Sequence, residues 1–62
     1  MKIQFNVNID SILAFAEVLS DGEVKNEIKG THGDDCIIID VLVSREDRDL
    51  IEQLEDLSES DE

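Results

Sequence analysis

The side chains able to do chemistry in this 62-residue chain are overwhelmingly carboxylates. There are 17 Asp and Glu against 5 Lys and Arg, 1 His and 1 Cys. Carboxylates transfer protons in pairs, hold metal ions in clusters, and attract basic surfaces when set in rows. Proton-transfer chemistry finds no partners here. His32 is the only His, and no Ser or Cys stands in a nucleophile context. Ser11, Ser20 and Ser44 read as helix caps or ends, and Cys36 falls in an apolar segment where a thiol behaves as a small hydrophobe. For a metal, His32, Asp34 and Asp35 offer one nitrogen and two carboxylates. Their spacing matches no cation-binding loop, and turn chemistry already accounts for Gly, Asp and His at these positions. Gly30 and Gly33 do not open a helix, so no phosphate loop is formed. The residues describe a protein that is not an enzyme and carries no metal or cofactor.

The third use of carboxylates fits better. Nine acids fall in the last 19 residues, namely Glu46, Asp47, Asp49, Glu52, Glu55, Asp56, Glu59, Asp61 and Glu62, opposed only by Arg45 and Arg48. On a helical wheel Asp49, Glu52, Glu55, Asp56 and Glu59 fall opposite Leu50, Leu54 and Leu57. Neighbours on such a face lie roughly 5–6 Å apart, comparable with the phosphate spacing along a DNA strand. Asp21, Glu23 and Glu27 extend the negative surface towards an edge strand. These eight acids are the candidate partner-binding residues.

The elements that must hold the row follow from periodicity. Residues 2–9 alternate strictly, with Ile3, Phe5, Val7 and Ile9 on one side, which predicts a half-buried strand. Asp10 or Ser11 then caps a helix whose stripe is Ile12, Phe15, Ala16 and Leu19. Gly22 closes it as the left-handed residue. Leu13, Ala14 and Val18 lie off that stripe. Residues 23–31 form a charged edge strand and residues 30–34 a hairpin loop. Residues 35–43 form the strongest strand, with Ile37, Ile39, Val41 and Val43 on one face. The other face, Cys36, Ile38, Asp40 and Leu42, is also mostly apolar, so this strand belongs at the centre of the sheet. Ser44 to Asp47 resembles a capping box for a last helix, in which Glu46 and Asp47 would occupy the first turn. The expected fold class is α+β, a three-stranded sheet with two helices in the order β-α-β-β-α. Residues 1–57 form one domain and residues 58–62 an acidic flexible tail.

Size and charge limit the partners. A domain this small buries only about 60% of its unfolded surface, so its stability is marginal unless it associates. Exposed apolar residues of the first helix, or of the Cys36 and Leu42 face, would serve a homodimer. One Cys forms no internal disulfide. No run of about 20 apolar residues is present to span a membrane, and no leader pattern is expected. A net charge of -12 repels nucleic acid and anionic membranes and selects basic surfaces.

Small size, extreme acidity, the absence of a catalytic constellation and the carboxylates of the last helix together resemble the DNA-mimic proteins of bacteriophages. Within that group the chain is similar to phage inhibitors of the nucleoid protein HU. The resemblance is one of type and rests on no diagnostic motif. It implies binding to the basic DNA-binding surface of an HU-like host protein, in the cytoplasm of a bacterial cell at its nucleoid, and a block on that protein's DNA binding. The alternative is a small phage regulator of another host factor, such as RNA polymerase or a restriction or CRISPR effector, docking through Leu13, Val18, Ile38 and Leu42.

Overall fold

Alternation of apolar and polar residues builds the first strand, and the computed structural model, which describes residues 1–58, carries the rest of the chain through the expected sequence of elements. These are β1 (Lys2–Asn8), a 3-10 turn (Ile9–Ser11), α1 (Ile12–Asp21), β2 (Asn26–His32), β3 (Cys36–Leu42) and α2 (Arg48–Leu57). The fold is α+β. The sheet order is β1-β3-β2, with β3 antiparallel to both neighbours. The strand that is apolar on both faces therefore lies at the centre. β1 and β2 are parallel to each other, and α1 carries the chain across β3 between them.

Cross-strand register sets the faces. Phe5 pairs with Ile39, Ile3 with Val41 and Val7 with Ile37, so these side chains share one side of the sheet. Both helices pack there. Phe5, Val7, Phe15, Leu19, Ile39, Val41, Val43 and Leu54 form the buried core. The rings of Phe5 and Phe15 meet edge to face, with centroids 5.5 Å apart at 65°, a favoured aromatic arrangement. Ile3, Ile12, Val18, Val24, Leu50, Ile51 and Leu57 seal its margin.

Several boundaries differ from the sequence reading. Ile9 leaves the strand and is half exposed, because the Asn8 side chain accepts the Asp10 N–H at 2.8 Å and starts the 3-10 turn one residue early. Ser11 stands at the N-cap of α1, as expected, but makes no side-chain cap bond, and the 3-10 turn leads into the helix. In α1, Val18 takes the inward place expected of Ala16, which is exposed. The helix closes with a Schellman arrangement: Val24 N–H donates to Leu19 O at 2.9 Å and Glu23 N–H to Ser20 O at 3.1 Å. The left-handed residue is Glu23, with φ 51, while Gly22 stays helical. Consequently β2 begins at Asn26, three residues later than expected.

The last helix also starts late. The Asp47 carboxylate accepts both the Ser44 N–H at 2.9 Å and the Ser44 hydroxyl at 3.1 Å, while Asp47 N–H donates back to Ser44 O at 3.1 Å. This reciprocal pair closes a turn over residues 44–47, so Asp47 is the cap and Glu46 precedes the helix. Asp49 is the acid of the first turn, suitably placed against the positive end of the helix dipole. Ser58 ends α2 by donating its N–H and its hydroxyl to Glu55 O. The expected acidic tail otherwise lies outside the described residues.

Candidate carboxylate surface

Outward direction on α2 follows from what the opposite side buries. Leu54 is fully buried, and Leu50, Ile51 and Leu57 pack beside it. Residues one half-turn away must point to solvent. Asp49, Glu52, Glu55 and Asp56 are all exposed, on a ten-residue helix anchored by the core. The fifth acid of the row, Glu59, lies outside the described residues. Among the described residues the ion pairs are Lys2 with Asp40 and Lys29 with Glu27, each at 3.8 Å. No cation is therefore paired with any α2 acid. Arg45 and Arg48 line one surface depression with Met1, Ile51 and Glu52, at the N-terminal end of the row.

The remaining candidates divide. Asp21 and Glu23 are exposed at the end of α1. A Cβ placed on Gly22, between them, would lie 3.6 Å from Leu50 Cδ1, so this end of α1 abuts the first turn of α2. Asp21 and Glu23 thus stand at the same end of the molecule as Asp49. Glu27 does not join them. It pairs in register with Asp40, and so lies on the sheet face away from the helices, where Lys29 also offsets its charge.

Other acids are placed in ways that periodicity could not show. Asp40 is only 8% exposed, although its sheet face carries no helix. Gln4 Nε2 donates to its Oδ1 at 3.0 Å and Lys2 Nζ lies 3.8 Å from its Oδ2, which satisfies the carboxylate within the fold. At the opposite end of the sheet, Ile9 N–H donates to Asp35 O at 2.7 Å. That bond ties the start of the 3-10 turn to the turn before β3, two segments far apart in sequence that carry the exposed acids Asp10, Asp34 and Asp35. Exposed Glu17 adds a charge on α1; helical spacing alone could have found it.

His32, Asp34 and Asp35 do not converge on a point. Among the described residues no three His, Cys, Asp or Glu side chains stand close enough together to hold a metal ion. No helix among them is long and apolar enough to cross a membrane. What the arrangement offers chemically is a fixed set of anionic acceptors for Lys and Arg side chains. Comparison with family models, curated proteins and solved structures finds no match to this chain.

Proposed function

We propose that this chain is an acidic binding protein of the phage DNA-mimic type, which occupies the basic DNA-binding surface of an HU-like host protein and keeps DNA off it. The observation that carries this reading is the exposed run Asp49, Glu52, Glu55 and Asp56, free of paired cations and held on a helix whose other side is core. Rigid anions lose little side-chain entropy on binding beyond their own rotamers. They also release counter-ions held by a basic partner, as phosphates do. Self-repulsion among 17 acids opposes folding, so a cost this large in a small domain fits a charge that has a use. On this reading the protein catalyses nothing and touches no nucleic acid directly. It acts in the bacterial cytoplasm, at the nucleoid through its partner.

The alternative, docking through an apolar patch, has less support. Val18 and Ile38 are half-buried, and Val18 packs against the core. Leu13 and Leu42 are 72% and 52% exposed, but Leu13 belongs to the helix layer and Leu42 to the opposite sheet face. They cannot contribute to one small contact.

The test is titration of a purified HU protein with this chain, followed by competition with duplex DNA at several salt concentrations. Displacement of DNA and a steep loss of affinity with rising salt are expected. The triple variant Glu52→Gln, Glu55→Gln, Asp56→Asn should stay folded and bind at least about tenfold more weakly, since exposed charges steer and hold basic partners. Unchanged binding by the triple variant would overturn the assignment.

A further inference from the structure

We propose that β1 is a self-association edge, through which two copies of the chain pair antiparallel about Phe5 and join their sheets into one of six strands. The inference is independent of the target of the acidic surface.

The backbone groups of β1 divide between β3 and the open edge. Met1 N donates to Val43 O at 2.9 Å and Val43 N–H donates to Met1 O at 2.8 Å, while Ile9 N–H donates to Asp35 O at 2.7 Å. Combined with the β1–β3 register, these bonds place the backbone groups of the odd-numbered residues towards β3. Those of Lys2, Gln4 and Asn6 face outward from an edge, and among the described residues no group outside the sheet bonds to them. Such an edge is a template for another strand.

The two edges of this sheet are treated differently. β2 is protected: its register shifts between Ile28 and Gly30, Gly30 has φ 154, and Glu27, Lys29 and His32 line it. β1 pairs with β3 without any shift over seven residues. Residues 1–9 are also the longest stretch of the chain without Asp or Glu. On a molecule of charge -12, this is where a second copy meets the least repulsion.

The occupant follows from the sequence of β1, which matches itself when reversed about Phe5. In that register Ile3 stands opposite Val7 of the second copy, Phe5 opposite Phe5, Gln4 opposite Asn6 and Lys2 opposite Asn8. Like stands opposite like on the helix side, where Phe5 and Val7 already belong to the core, while on the open side amide meets amide at Gln4 and Asn6 and ammonium meets amide at Lys2 and Asn8. The outward-facing residues also become the hydrogen-bonded pairs, as an antiparallel ladder requires. The contact is isologous and closes as a two-fold dimer, with all helices on one face and the α2 rows of both copies on the same side.

Sedimentation equilibrium of the full chain tests this, together with Asn6→Pro. Proline at position 6 removes an outward N–H and leaves the bonds to β3 in place. The expected result is a dimer for the natural chain, and a folded variant whose dimer dissociation constant is at least about tenfold larger. A natural chain that stays monomeric into the millimolar range, or a folded variant that dimerises as before, would overturn the proposal. If the variant does not fold, isotope-filtered NMR on a mixed labelled and unlabelled sample decides. Contacts between Phe5 α-protons of the two copies support β1 pairing, and inter-chain contacts elsewhere without them refute it.

Discussion

A Cβ atom on Gly22 would lie 3.0 Å from Val24 Cγ2, so the chain leaves α1 with glycine where space is tight and Glu23 where the backbone is left-handed, at φ 51. A non-glycine residue in that conformation costs on the order of 1 kcal/mol. Glu23→Gly should therefore raise stability by about 0.5–1 kcal/mol, read from the urea midpoint. Gly22→Ala requires Val24 to give by a few tenths of an ångström, which offsets the ~1 kcal/mol that alanine gains over glycine in a helical conformation, so stability should change by less than about 1 kcal/mol. If Glu23 belongs to the binding surface, the stabilised Glu23→Gly variant will also bind the basic target less tightly, so stability and affinity move in opposite directions.

Phe15 and Leu54 are fully buried at the join between the helices and the sheet. Replacing Phe15 with Ala removes a ring that contacts Phe5, at a cost of about 3–5 kcal/mol. A chain of this length has on the order of 3–9 kcal/mol of total stability. Phe15→Ala is expected to lose a third or more of that stability and to melt far below the natural protein, whereas Leu13→Ala, at a solvated position, should melt within a few degrees of it. Circular dichroism melts compare the two.

Salt separates folding from binding. The fold carries a net charge of -12 with two ion pairs among its described residues, and screening relieves repulsion more than it weakens those pairs. The melting temperature should rise with added sodium chloride. Dimer formation should strengthen for the same reason, while affinity for a basic target should fall. Calorimetric melts and binding isotherms across one salt series check the opposing slopes. A melting temperature that drops with salt would contradict the first of them.

The turn before α2 rests on one carboxylate. Asp47 accepts from both the N–H and the hydroxyl of Ser44. Asp47→Ala removes both bonds and should cost about 1 kcal/mol. Asp47→Asn keeps an acceptor and should cost less. Hydrogen-exchange rates of the Ser44 amide would rise in the Ala variant and stay closer to natural in the Asn variant.

Much of the architecture could be read from residue order. Alternation over residues 2–8 and 36–42 identifies strands and their inner faces, because side chains on an extended chain reverse direction at each residue. The spacing of Leu50, Leu54 and Leu57 marks the buried side of α2, and with it the outward side that carries Asp49, Glu52, Glu55 and Asp56. Boundaries were less legible. They depend on single hydrogen bonds, such as Asn8 to Asp10 or Ser44 to Asp47, that compete with neighbouring caps of nearly equal energy.

Composition and spacing alone decide that this is a small, strongly anionic α+β chain with one helix polar on its outer side, since charge and periodicity are properties of the residues in order. Only the tertiary structure decides which acid-bearing segments lie near one another. The Gly22–Leu50 approach puts the end of α1, with Asp21 and Glu23, against the first turn of α2, with Asp49, strand register sends Glu27 to the far side and bonds Asp40 to Gln4, and the Ile9–Asp35 bond ties the segment of Asp10 to that of Asp34 and Asp35. Each of these depends on contacts between segments distant in sequence, and local patterning holds no record of those distances.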